Sequence, residues 1–158
     1  MDALGIEHYN CHPEESYAAG AKDDSKDLVV RTNRINAKVA EYSKKGYQSI
    51  LISIHNNAAG AGSWSNASGW TPWVYTTASD KSKTFAKLLY NQAINAQLKG
   101  NRSIPSCMYY TANFWILRKS NCPAVLTENL FQDNKRDVDY LLTDSGKNTI
   151  AEIHIKGI

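Results

Sequence analysis

Two polar residues stand where buried strands end, and they are the first candidates for chemistry. His55 follows the apolar run Ile50-Leu51-Ile52-Ser53-Ile54 and precedes Asn56-Asn57. Glu128 follows Ala124-Val125-Leu126-Thr127 and precedes Asn129. A histidine at a strand end is more often structural than a ligand, and a carboxylate there is more often a salt bridge or a helix cap. Yet a carboxylate at the tip of a buried strand is costly to place without a partner. Two such tips on neighbouring parallel strands would face one site. An imidazole ligand beside a carboxylate base is the logic of a metal-assisted hydrolase. No His-Glu-x-x-His helix is present, so a metal site would have to be assembled from distant segments.

The elements that must position these residues follow from periodicity. Residues 4–11 read as a short strand ended by Pro13. Asp24 or Ser25 can cap a helix, whose buried stripe is Leu28, Ile35, Val39 and Tyr42; Gly46 is placed to end it. Residues 47–54 read as a strand covered on both faces, because the centre is apolar without alternation. A helix followed by such a strand is the α/β signature. Residues 55–71 are polar and glycine-rich, a long loop at the edge of the sheet where ligands commonly bind. Residues 73–76 form a further strand. Ser79 caps a helix to Lys99 with Phe85, Leu88 and Leu89 inward, closed by Gly100. Residues 101–113 look irregular. Residues 114–117 and 124–127 read as short strands, and helices are predicted near 135–142 and 145–156.

These motifs, once in order, carry a resemblance. Ser53-Ile54-His55-Asn56-Asn57-Ala58 is similar to the Ser-Ile-His-x-Asn-Ala segment of the zinc-dependent N-acetylmuramoyl-L-alanine amidases of the amidase-3 type. Phe114-Trp115-Ile116-Leu117-Arg118 and Cys122-Pro123-Ala124-Val125-Leu126-Thr127-Glu128-Asn129-Leu130-Phe131 resemble that family's second signature. The likeness covers about residues 28 to 157. It implies one α/β domain over residues 1–158, an open, twisted, mostly parallel sheet with helices on both faces. It implies an enzyme that hydrolyses the amide bond between N-acetylmuramic acid and L-alanine in bacterial peptidoglycan, in a bacterial or endolysin-like phage setting. By the same resemblance His55 matches a zinc ligand and Glu128 the catalytic base. Arg118 and Asn129 match positions near the site, and with Asn57 and Trp64 they are the expected substrate contacts.

The family holds one zinc ion with two His and one Glu. The strand ending in Gly-His-Gly and the helix bearing the ligand Glu have no counterpart here, so the chain is expected to be N-terminally truncated, with two of the three ligands absent. His8, His12, Glu14, Glu15 and His154 are the candidates to substitute. An incomplete site leaves a second reading, an inactive amidase acting at most as a peptidoglycan-binding module. A missing strand would also leave an exposed sheet, open to self-association.

Composition narrows the remainder. The 158 residues carry a formal net charge of +3 and 42% apolar residues, enough for one core. The basic balance is too mild and dispersed for nucleic acid, and no apolar run approaches membrane-spanning length. The N-terminus has no signal-peptide pattern, so localisation is left open. Three cysteines, Cys11, Cys107 and Cys122, form no zinc-ribbon spacing and read as free thiols. Trp64, Trp70 and Trp73 fall close together in the glycine-rich stretch. Trp64 is the expected wall contact, while Trp70 and Trp73 either join it or plug the core beneath.

Overall fold

A computed structural model of the chain describes residues 5–13, 23–60 and 62–158. Its centre is a four-stranded sheet in the order β1-β4-β2-β3, where β1 is Leu51–Asn57, β2 Thr71–Tyr75, β3 Tyr110–Ala112 and β4 Ala124–Phe131. β1 runs parallel to β4 and β2 parallel to β3, while β2 and β4 are antiparallel. The sheet is therefore mixed, with two of its three pairings parallel.

Helices lie on both faces, and β4 shows why. Side chains alternate along a strand. Val125 points into a cluster with Trp70, Phe85, Leu89 and Ile153. Those residues bring in the helices α2 (Asp80–Asn95) and α5 (Asp144–Lys156). Ala124 and Leu126 point the other way, to Ile35, Ile116 and Leu117. These belong to α1 (Asp24–Lys44) and α3 (Trp115–Lys119). A short α4, Lys135–Leu141, follows β4.

Local signals account for most element ends. The side chain of Asp23 accepts from the amide of Lys26 and caps α1, one residue before the expected cap. Ser79 caps α2 by accepting from Ser82. α2 ends at Asn95, a turn before Lys99, because Gln97 takes a left-handed conformation at φ +61°. Gly100 serves a different end. A Cβ there would lie 2.3 Å from the carbonyl oxygen of Ser68, and one on Gly69 would lie 2.2 Å from that of Lys99. Two loops cross backbone to backbone at this point, which only glycine permits.

Three sequence expectations are corrected. Residues 5–11 form no strand; Leu4 lies outside the described residues. Residues 114–117 enter a short helix, α3, rather than a strand. A brief apolar run does not distinguish the two by itself. β1 is covered on both faces only at its start, where Leu51 and Ile52 pack against the two cores. It has β4 on one side and, among the described residues, no strand on the other. Ile54 is 62% exposed and Ile50 43%. The strand also starts later than residue 47 and continues through Asn57, so His55 lies within it. Residues 14–22 lie outside the described residues. Among the described residues, no helix is long and apolar enough to cross a membrane.

Candidate active site

The ladder places His55 directly opposite Glu128 on the neighbouring parallel strand. Ser53 and Leu126 pair two residues earlier, on the same face, and Thr71 of β2 faces Glu128 from the other side. Alternation puts Glu128 on the same face as Ala124 and Leu126, which is the α1 and α3 face. The two polar strand ends thus meet, as their positions after apolar runs predicted.

Each carries an electrostatic mark. Glu128 is half-buried, and its Oε2 has no hydrogen-bond partner among the described residues. Burial disfavours its charged form and pushes its pKa up to about 7. His55 is shifted the other way. Partial desolvation of the ring, then the charge of Arg31, lowers its pKa and favours neutral imidazole. Its Nε2 lies 2.9 Å from the Ser53 hydroxyl. A carboxylate that titrates near neutrality can take a proton from water and later return it. A neutral imidazole keeps a lone pair for a metal or a hydrogen bond.

α1 supplies a wall that sequence reading missed. Asp27 is 2% exposed and pairs with Arg31 one helical turn on. His12 Nε2 lies 3.5 Å from Asp27 Oδ1. An acid followed four residues later by a base on one helix is a visible spacing. Its burial is what the sequence did not show, because the stripe of Leu28, Ile35, Val39 and Tyr42 had taken the inward face. Of these four, only Ile35 is fully buried.

The remaining expected contacts separate. Trp64 is 66% exposed, on a stretch tied to the turn after β4: Ser65 donates its amide to the Asp133 carbonyl, and Asn134 Nδ2 donates to the Ser65 carbonyl. Trp70 is wholly buried and Trp73 stacks on Tyr110 with ring centroids 4.7 Å apart, so these two belong to the core and its margin. Asn57 ends β1 opposite Phe131 and accepts the Ala58 amide on its Oδ1.

Arg118 and Asn129 lie apart from the other expected contacts. Arg118 lines a shallow cleft with Tyr75, Ser79 and Ala124, at the end of β4 away from Glu128. It also donates to Asn113. Asn129 is 2% exposed, and both ends of its amide are taken up inside the protein, so no face of it is left for substrate.

The described residues do not make a zinc site by themselves. Among the described residues, no group of three or more His, Cys, Asp or Glu could hold a metal ion. His12 turns to Asp27. His154 is buried, with its ring nitrogens 2.9 Å from Thr127 Oγ1 and 2.7 Å from the Ile150 carbonyl. His8 is exposed, and Glu14 and Glu15 lie outside the described residues. The cysteines are free thiols, as expected, and burial pushes Cys122 up to about 11.

Comparison with known proteins first confirms the class, an α/β amidase domain. The N-acetylmuramoyl-L-alanine amidase of Clostridium difficile 630 superposes with a TM-score of 0.67 at 25% identity, over 82% of this chain and 62% of that one. The CwlD amidase of Clostridioides difficile, solved in complex with the GerS lipoprotein, gives 0.71 at 17% identity, over 93% and 71%, and so shows the fold alone. The family model for N-acetylmuramoyl-L-alanine amidase matches residues 17–158, and the chain belongs to that family. It is 29% identical over 136 residues to the amidase CwlM of Bacillus licheniformis, covering 86% of this chain and 46% of that protein. It is 34% identical over 134 residues to the endolysin of Bacillus phage SPP1, covering 84% and 44%. The chain thus spans under half the length of these two curated relatives. Zinc dependence is general in the family.

The Glu128 shift has a consequence for stability. Its folded pKa of about 7 lies above the ordinary 4.5, so the folded state holds this proton more tightly than the unfolded chain. Below pH 4.5 the group costs the fold nothing; between 4.5 and 7 the cost grows; above 7 it is present in full. Glu128→Gln should therefore raise the urea midpoint over wild type at pH 8, in chelator, and scarcely change it below pH 5. An equal difference at both pH values would exclude a raised carboxyl pKa.

Proposed function

We propose that this chain hydrolyses the amide bond joining the lactyl group of N-acetylmuramic acid to L-alanine in peptidoglycan. The observation that carries the reading is Glu128, half-buried, unpartnered at Oε2 and titrating near neutrality beside a neutral His55. Family membership supplies the reaction class.

In this reaction the oxygen of a water molecule attacks the amide carbonyl carbon, and Glu128 takes the proton released. The carbon–nitrogen bond then breaks. Glu128 returns the proton to the departing α-amine of L-alanine, leaving a carboxylic acid on the lactyl group. Burial suits Glu128 to both transfers, because a base working at neutral pH is most effective with a pKa near that pH. His55 is the described residue suited to bind zinc in this reading. It supplies one ligand of a set that the described residues leave incomplete.

New amine ends released from purified muropeptides measure the reaction. Glu128→Gln should lower the rate by about 10²–10⁴-fold, the usual contribution of a general base. Chelation followed by return of zinc should restore wild type and not His55→Ala. A wild-type chain that binds peptidoglycan and releases no amines, with or without zinc, would make it a binding module instead.

Trp64 extends the reading to the glycan. An exposed indole held on a tethered loop offers a face on which a sugar ring can stack. Trp64→Ala should weaken co-sedimentation with peptidoglycan and leave the melting temperature unchanged; undiminished binding excludes the contact.

Self-association through the open edge of β1 is the last part. The strand Leu51–Asn57 carries no charge and no proline, the usual guards of a strand edge. Light scattering should detect a dimer that dissociates on Ile54→Lys, and a monomer at high concentration rules the pairing out.

A further inference from the structure

The ladder between β1 and β4 slips directly after the paired His55 and Glu128. The next partners are Asn57 and Phe131, so β4 spends three steps where β1 spends two. The extra residue makes a β-bulge, and Leu130 within it takes φ +65°, a left-handed conformation that a branched apolar side chain seldom adopts. Such a conformation persists only where the surroundings hold it.

Two asparagine side chains do so. Asn129 Nδ2 donates to the main-chain carbonyl of His55 at 2.9 Å, and Asn56 Nδ2 donates to the main-chain carbonyl of Asn129 at 2.7 Å. Each strand thus lends a side-chain amide to the other where the regular pairing is interrupted. Asn129 is fixed in turn, since its Oδ1 accepts from the fully buried Trp70 indole at 2.6 Å. The orientation of the Asn129 amide follows, because an indole nitrogen only donates.

We infer that Asn129, with Asn56 as its counterpart, is a positioning residue that locks this bulge and so fixes His55 relative to Glu128. Neither asparagine touches substrate in this role. The purpose of the lock rests on the proposed hydrolysis; its geometry does not.

Two measurements on the full chain test it. In Asn129→Ala, kcat for amide release should fall by about 10-fold to 100-fold with KM nearly unchanged, as for other residues that orient a reacting group. The imidazole nitrogen signals of His55 in NMR should shift or broaden as the ring loses its fixed place beside Ser53. Leu89→Ala is the control: it opens a hole at a fully buried core residue, lowers the melting temperature, and leaves the hydrogen bonds of both asparagines in place. It should keep the His55 signals and most of kcat. Asn56→Ala loosens the bulge from the exposed side and should move the same signals even if Asn129→Ala fails to fold. Unchanged His55 signals in both asparagine variants overturn the inference. So does a loss of kcat in Leu89→Ala equal to that in Asn129→Ala, which would mark a general effect of stability. Absence of wild-type hydrolysis would sink the proposed activity and leave the NMR comparison to decide the lock.

Discussion

The site depends on the parallel pairing of β1 with β4. That pairing sets His55 opposite Glu128, two residues from segments far apart in sequence. Side-chain period in a strand is two, so a slip of one residue would send Glu128 into the opposite core, among Trp70 and Leu89. Both faces of β4 guard against the slip. Val125 is held on one side, Ala124 and Leu126 on the other, and the residues between have no freedom to exchange faces.

The same constraint explains why the bulge comes where it does. Up to Glu128 the ladder must be regular to keep the apolar residues in their two cores. Past Glu128 the strand has discharged that duty and has to turn toward α4. The turn is anchored by Asp137, whose carboxylate accepts from the Phe131 amide and the Ser68 hydroxyl. Side-chain donors from Asn56 and Asn129 then supply hydrogen bonds where the ladder is interrupted, as buried polar groups require.

Much of this was legible in the residues, for a physical reason. Apolar runs ending in His55 and Glu128 announce strands and mark which ends are polar. The expected caps, Asp24 or Ser25 and then Ser79, and the helix expected near 135–142 place α1, α2 and α4 within a residue or a turn. What could not be read was tertiary. The apolar centre of β1 looked covered on both faces along its length, since composition does not tell where the packed helices stop; Ile54 is exposed. Trp115-Ile116-Leu117 looked like a strand because a short apolar run fits either period. Asn129 stood beside the base and looked like a substrate contact. Alternation turns it to the other face, where the Trp70 indole claims its oxygen.

The placement of Glu128 balances two demands. A base needs enough desolvation to titrate near neutrality, yet a carboxylate in a closed core would lose its proton only at much higher pH and could not reach water. On β1, which has no strand along its far edge among the described residues, His55 is exposed, while β4, covered on both faces, withdraws Glu128 half-way from solvent. Adjacent strands of one sheet thus give two titratable groups shifts of opposite sign. The carboxyl is drawn up and the imidazole down, by the same physical cause. Burial favours the neutral form of each, and for an acid and a base that moves the pKa in opposite directions. Near pH 7 the carboxyl is therefore divided between its two forms while the imidazole is neutral, the pair of states that the proposed hydrolysis calls for.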